Sequence, residues 1–204
     1  MEYPVPKRFS LAVHKHKIPK YFSVEEIREI LNAAQNRKNF HQRVDNRTYH
    51  LLLNLLWQTG ARISEVLSIK IEDIDFYSKT LKLKNLKRRR ESYKYIPLKD
   101  SLLGELGSYI ASMKLGAGKD SKLFTITREC VFQLIKKICK ELEIDPEKAH
   151  PHTFRHSFAV HCIMNKIPVV IVKEWLGHSN LASTLLYLEI LSQDTRDFYD
   201  QLEF

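Results

Sequence analysis

His152, Thr153, Phe154, Arg155 and His156 stand in one run, Leu176, Gly177 and His178 follow, and Tyr187 comes nine residues after that last histidine. Positions three apart on a helix share a face, so His152 and Arg155 can reach one anion together. A left-handed cap at Gly177 would turn the chain sharply and present His178 beside them. Upstream, Thr59, Gly60, Ala61, Arg62, Ile63, Ser64 and Glu65 set an arginine directly after a helix end, with a carboxylate three residues on that can orient it by a charge-assisted bond. Two guanidinium groups converging on one phosphate offer several fixed donors to its non-bridging oxygens. Such preorganised charge stabilises phosphoryl transfer without a metal, and Arg62 and Arg155 are the candidates for the pair.

Each of these residues has a plainer reading. A tyrosine within Leu185, Leu186, Tyr187 and Leu188 would by itself be a core residue; His178 and the two arginine motifs make it a candidate nucleophile, with Tyr199 the nearby rival. His152, His156 and His161 could suggest a zinc helix, but no glutamate lies between the first pair and no third ligand has suitable spacing, so no metal is expected. His156 is read as an internal hydrogen-bonding residue. The run Lys87, Arg88, Arg89 and Arg90, with Lys84 just before it, would alone be a solvated hairpin tip; beside a phosphate site it becomes a set of salt-sensitive contacts to a polyanion.

The elements that must carry these residues can be read from periodicity. Residues 1–20 show no sustained period and hold three prolines among basic residues, which describes a basic arm or linker, and the folded domain is expected over 21–204. Ser23 with Glu26 forms a capping box ahead of the stripe Ile27, Ile30, Leu31 and Ala34. Tyr49 to Leu56 is apolar on most sides, as a centrally buried helix is, and it ends at Gly60. Ile69 to Asp75, Thr80 to Asn85 and Ser92 to Pro97 alternate in the manner of a small antiparallel meander. Helical stripes return from Ser101, again over Val131 to Leu142, then from about Thr153 to Asn165, and after Pro168 up to Gly177. Tyr187 falls on or just after a further short helix, and a tail helix from about Gln193 carries Phe198, Tyr199 and Leu202 on one stripe. The fold class expected is mainly α with a small antiparallel β-sheet.

Composition sets outer limits. With 204 residues and 44% hydrophobic content the chain can bury a core without disulfides. A net charge of +9 favours a polyanionic partner. Cys130, Cys139 and Cys162 are odd in number and lack paired spacing, which implies free thiols in a reducing compartment, hence the cytoplasm. Neither a secretory h-region nor a run of membrane-spanning length occurs.

At the residues quoted first, the sequence resembles the tyrosine recombinases, also called phage integrases. Their two boxes read as a Thr-Gly-x-Arg-x-Ser-Glu turn, and as His-x-x-Arg-His followed by Leu-Gly-His and a tyrosine; every element is present and in order. The motifs bracket Thr59 to Tyr187, and the likeness extends over nearly all of Tyr21 to Phe204. It implies a mostly helical domain with a small sheet at one edge, and site-specific recombination of double-stranded DNA with no cofactor. Tyr187 would attack a backbone phosphate to give a 3'-phosphotyrosine and a free 5' hydroxyl. Arg62, Arg155 and His178 would hold the phosphate, with Glu65 in support, and His152 would assist proton transfer from Tyr187. The acid for the leaving oxygen would be Lys87, with Lys84 the alternative, because Asn85, Leu86 and Arg88 replace the glycines that usually flank the family's lysine. Leu188 and Glu189 also depart from the threonine and histidine the family often has there. Self-association as a tetramer on paired DNA sites, through exchange of the C-terminal helix, is a further implication. A DNA-binding regulator that does not cut, an isolated integrase fragment and a type IB topoisomerase are the alternatives.

Overall fold

The computed structural model describes residues 19–36, 44–85, 91–113 and 121–190. Its first helix, α1 (Val24–Asn36), starts where the sequence writes a capping box: the Ser23 amide donates to the Glu26 carboxylate at 2.7 Å and the Glu26 amide to the Ser23 hydroxyl at 3.1 Å. The next, α2 (Asn46–Thr59), is capped by Asp45, which accepts from the Arg47 amide at 2.8 Å. Leu51, Leu52, Leu53, Leu55 and Leu56 are all buried, so α2 is enclosed on nearly every side and the other helices pack around it. It stops at Gly60, whose φ of 59° is the left-handed conformation that ends a helix, and a single turn, α3 (Ile63–Val66), follows at once.

The sheet is a three-stranded antiparallel meander of β1 (Ile74–Asp75), β2 (Thr80–Lys84) and β3 (Tyr93–Pro97), in that spatial order. Leu81 faces Ile96 and Leu83 faces Lys94 across β2 and β3. The first strand is shorter than the alternation over Ile69–Asp75 suggests, for two reasons. The Asp73 carboxylate accepts from the Lys70 amide at 2.9 Å and winds Ile71–Asp73 into a turn of 3-10 helix. The stretch before it is also already paired elsewhere, with the Leu123 amide donating to the Ile69 carbonyl and the Ile71 amide to that of Ser121.

Four longer helices and one short one complete the domain: α4 (Asp100–Ser112), α5 (Arg128–Glu141), α6 (Pro151–Met164), α7 (Val169–Leu176) and α8 (Ala182–Leu185). Pro151 occupies the first turn of α6, where a missing amide hydrogen costs nothing, so that helix begins two residues before the expected Thr153. Pro168 stands one place outside α7, as its N-cap. A 3-10 turn, Leu186–Ile190, carries Tyr187. The larger apolar cluster joins α1 to α5 with the sheet; the smaller is made of Phe158, Ala159, Val160, Cys162, Ile163, Val172, Leu176 and Tyr187. The domain is therefore mainly helical with a small sheet. Among the described residues no helix is long and apolar enough to cross a membrane.

Candidate active site

Two left-handed glycines define the geometry. Gly60 ends α2 and Gly177 ends α7, with φ of 59° and 66°, and each leaves helix-terminal carbonyl groups looking for donors. Arg155, buried on α6, answers both ends: its guanidinium donates to the Gly60 carbonyl at 2.9 Å and to the Leu176 carbonyl at 2.6 Å. One side chain thus fixes the two motif-bearing turns relative to each other. Neither glycine tolerates a side chain easily. A Cβ on Gly60 would lie 2.4 Å from a ring carbon of Phe158, and one on Gly177 would lie 3.3 Å from the Asn85 amide nitrogen and 3.4 Å from Cδ of Lys94.

Arg62 stands at the N-cap of α3, and Glu65 in the same turn is fully buried. The carboxylate accepts from the Arg62 guanidinium at 2.8 Å and from the Arg62 amide at 3.0 Å. A third donor comes from the sheet: Nζ of Lys94 is 3.0 Å from Glu65 and 3.5 Å from the Leu176 carbonyl. Burial alone would raise the Glu65 pKa, but Lys94 and Arg62 outweigh it and hold the carboxyl below its ordinary range. Lys94 is pushed down to about 8 by burial, which Glu65 opposes and the two arginines reinforce. Burial and the neighbouring Arg62 likewise bring Arg155 down to about 10. Three cations around one carboxylate leave an excess of positive charge in a largely dry site, an arrangement that a bound anion would relieve.

His178 follows Gly177 directly, and its Nδ1 is 2.8 Å from the hydroxyl of the buried Thr184. Its pKa falls to about 4, first through burial and then through Arg155, Arg62 and Lys94, which places it in the same electrostatic neighbourhood as those groups. The Tyr187 ring is buried, with its hydroxyl 2.7 Å from Nδ1 of His156. Burial raises the Tyr187 pKa, and Arg155 opposes that rise. His156 is itself pushed down to about 4 by burial, with His152, His150 and Arg155 contributing, so at neutral pH its ring is uncharged.

Arg62, Glu65, Arg155, His178 and Tyr187 are therefore brought together. His152 sits exposed in the first turn of α6, its ring edge-on to that of His150 with centroids 6.5 Å apart. Lys84 is exposed at the end of β2 in an ion pair with Glu91. Lys87, Arg88, Arg89 and Arg90 lie outside the described residues, as do Phe198, Tyr199 and Leu202. One participant, Lys94, and one contact, the bond of His156 to Tyr187, escaped the sequence reading. Lys94 had a signal, since it shares the inward face of β3 with Ile96 in a period of two. The hydroxyl partner of His156 had none, because nothing in the spacing ties position 156 to position 187.

Known proteins similar to this chain include recombinases and integrases. The model of the phage integrase family matches residues 20–193. A tyrosine recombinase of Pseudothermotoga lettingae is 29% identical over 192 residues, covering 92% of this chain and 62% of that protein. The tyrosine recombinase XerD of Staphylococcus haemolyticus is 32% identical over 199 residues, covering 92% and 64%. The chain thus spans a little under two thirds of the length of these relatives. Among solved structures, the XerH site-specific recombinase in a post-cleavage complex with its palindromic difH substrate superposes with a TM-score of 0.75 at 23% identity, over 91% of this chain and 54% of that one. The catalytic domain of bacteriophage HP1 integrase does so at 0.62 and 24%, over 83% and 87%. Both likenesses concern the fold.

Proposed function

The chain belongs to the phage integrase family, and from that membership we propose that it cuts and rejoins double-stranded DNA at specific sites through a covalent bond between Tyr187 and a backbone phosphate. The observation that carries the proposal is the 2.7 Å hydrogen bond between the Tyr187 hydroxyl and His156, set beside two buried or half-buried arginines. The structural relatives include a recombinase and a transposon integrase in complex with DNA, which favours the same class of partner here. The net charge of +9 supports a polyanionic substrate.

In this reading Arg62 and Arg155 donate to the two non-bridging oxygens, and their fixed positions mean that little reorganisation accompanies charge build-up. His178 has its Nδ1 paired with the Thr184 hydroxyl, which leaves Nε2 for the phosphate; in the tautomer that carries its proton there it donates a hydrogen bond to the same phosphate. The tyrosine oxygen forms a bond to phosphorus as the bond from phosphorus to the 5' oxygen breaks. The phenol proton passes to the neutral His156, to which the hydroxyl is hydrogen-bonded, with His152, one turn earlier on α6, assisting that transfer. The departing 5' oxygen takes a proton from Lys87; Lys84, engaged with Glu91, is the alternative. A 5' hydroxyl attacking the phosphotyrosine reverses every step, so no cofactor or external energy is needed. Arg88, Arg89 and Arg90 would hold the flanking backbone, and the free thiols of Cys130, Cys139 and Cys162 suit a reducing cytoplasm.

A nicked suicide duplex tests the assignment. The wild-type chain should yield a denaturant-resistant adduct on the 3' side of the break, and Tyr187→Phe should yield none; an adduct from the Phe variant would remove Tyr187 from the role.

A further inference from the structure

Lys94 is a lysine on the inner face of a strand, nearly as buried as the leucines around it, and it sits close to two arginines. Burial and both arginines disfavour its charge, and only Glu65 compensates. An apolar side chain of similar length would fill the same space without that cost. A buried cation kept under these conditions calls for a role other than stability.

The bonds around it suggest that role. Glu65 divides its carboxylate between Arg62 and Lys94, and the Leu176 carbonyl is shared between Arg155 and Lys94. Arg62 belongs to the turn after α2, and Arg155 to α6; guanidinium groups only donate, so the two cannot bond to each other, and Arg155 meets the Arg62 turn directly only at the Gly60 carbonyl among the described hydrogen bonds. Their connection on this side runs from Arg62 through Glu65, Lys94 and the Leu176 carbonyl to Arg155. We propose that Lys94 is a positioning residue that couples the two arginines, setting their separation to span one phosphate and tying it to the turn that carries His178. The inference rests on the reading of this site as a DNA-cleaving one. Lys94 does not touch the phosphate; it acts through Glu65 and the end of α7.

A positioning role and a structural role part company experimentally. Lys94→Met keeps the aliphatic stem and removes the charge, leaving Glu65 paired with Arg62. The full chain is assayed for single-turnover adduct formation on a nicked suicide duplex at saturating DNA, for DNA affinity by gel shift, and for melting temperature. The expected result is a cleavage rate lower by about ten- to a hundred-fold, the range in which small displacements of catalytic groups fall. DNA affinity and melting temperature should stay close to wild type. Lys94→Arg restores the two donor directions, and the cavity of about 380 Å³ that Lys94 lines beside Gly177 and His178 has room for the larger head, so most of the rate should return. A wild-type rate in Lys94→Met, a rate loss matched by a loss of folding, or a Lys94→Arg chain as slow as Lys94→Met each overturns the proposal. Absence of adduct from the wild-type chain under conditions where it binds DNA overturns the reading of the site as a whole, and is distinguishable from those outcomes.

Discussion

His156 and His178 are residues through which acid acts on this site. Both have folded-state pKa values near 4, against about 6.5 in an unfolded chain. Between those values the unfolded chain binds more protons, so the stability these rings contribute is complete above pH 6.5 and is lost as the pH falls toward 4. Thermal melting followed from pH 7 down to pH 4.5 should show a falling midpoint, and His156→Gln should flatten the slope by removing one of the two contributors. An unchanged slope in that variant would mean that the burial of His156 does not govern its titration. Added sulfate should flatten the slope as well, because an anion between the arginines favours the charged form of His178. In the proposed reaction the uncharged His156 accepts a proton at neutral pH, so acid should silence Tyr187, and loss of the Lys94 charge above about pH 8 should slow cleavage from the other side.

At the scale of elements, the two left-handed helix ends set the geometry of the site. Gly60→Ala places a methyl group 2.4 Å from Phe158 on top of a left-handed backbone strain, and should cost about 2–4 kcal/mol. Gly177→Ala meets only ordinary to tight contacts with Asn85 and Lys94, and should cost about 1–2 kcal/mol, chiefly from the backbone. Urea denaturation of the two variants checks the order; a larger loss at Gly177 would show that α7 has no room to give. The sequence made these ends legible, since a glycine after an apolar helical stripe has few other uses, and both arginine motifs follow from them. It also made the strands legible through their alternation. What it left dark depends on contacts distant along the chain: the pairing of Ile69 with Leu123, which shortens β1, and the bond between His156 and Tyr187. Lys94 is the intermediate case, visible as a charge on the inward face of its strand but interpretable only once Glu65 is found beside it.

For the molecule as a whole, the proposed reaction requires more than one copy, because exchanging strands takes two DNA sites. Phe198 and Leu202 lie outside the described residues; by their sequence spacing they are the expected stripe through which the proposed docking on a neighbouring subunit would run. Replacing both with Asp should abolish pairing of two DNA sites in a native gel while leaving binding to a single site within about three-fold, as expected of a contact remote from DNA. Retention of paired complexes would place the stripe against its own domain instead. The seat of Tyr187 bears on the fate of the linkage once made. Its ring is 3% exposed, among the side chains of the smaller apolar cluster, so an ester formed there would have few water molecules near it to compete with an incoming strand. In the proposed reaction a shelter of that kind would guard against premature discharge: the broken duplex would stay recoverable for as long as the pocket stayed dry, and the outcome would be governed by which hydroxyl arrives first.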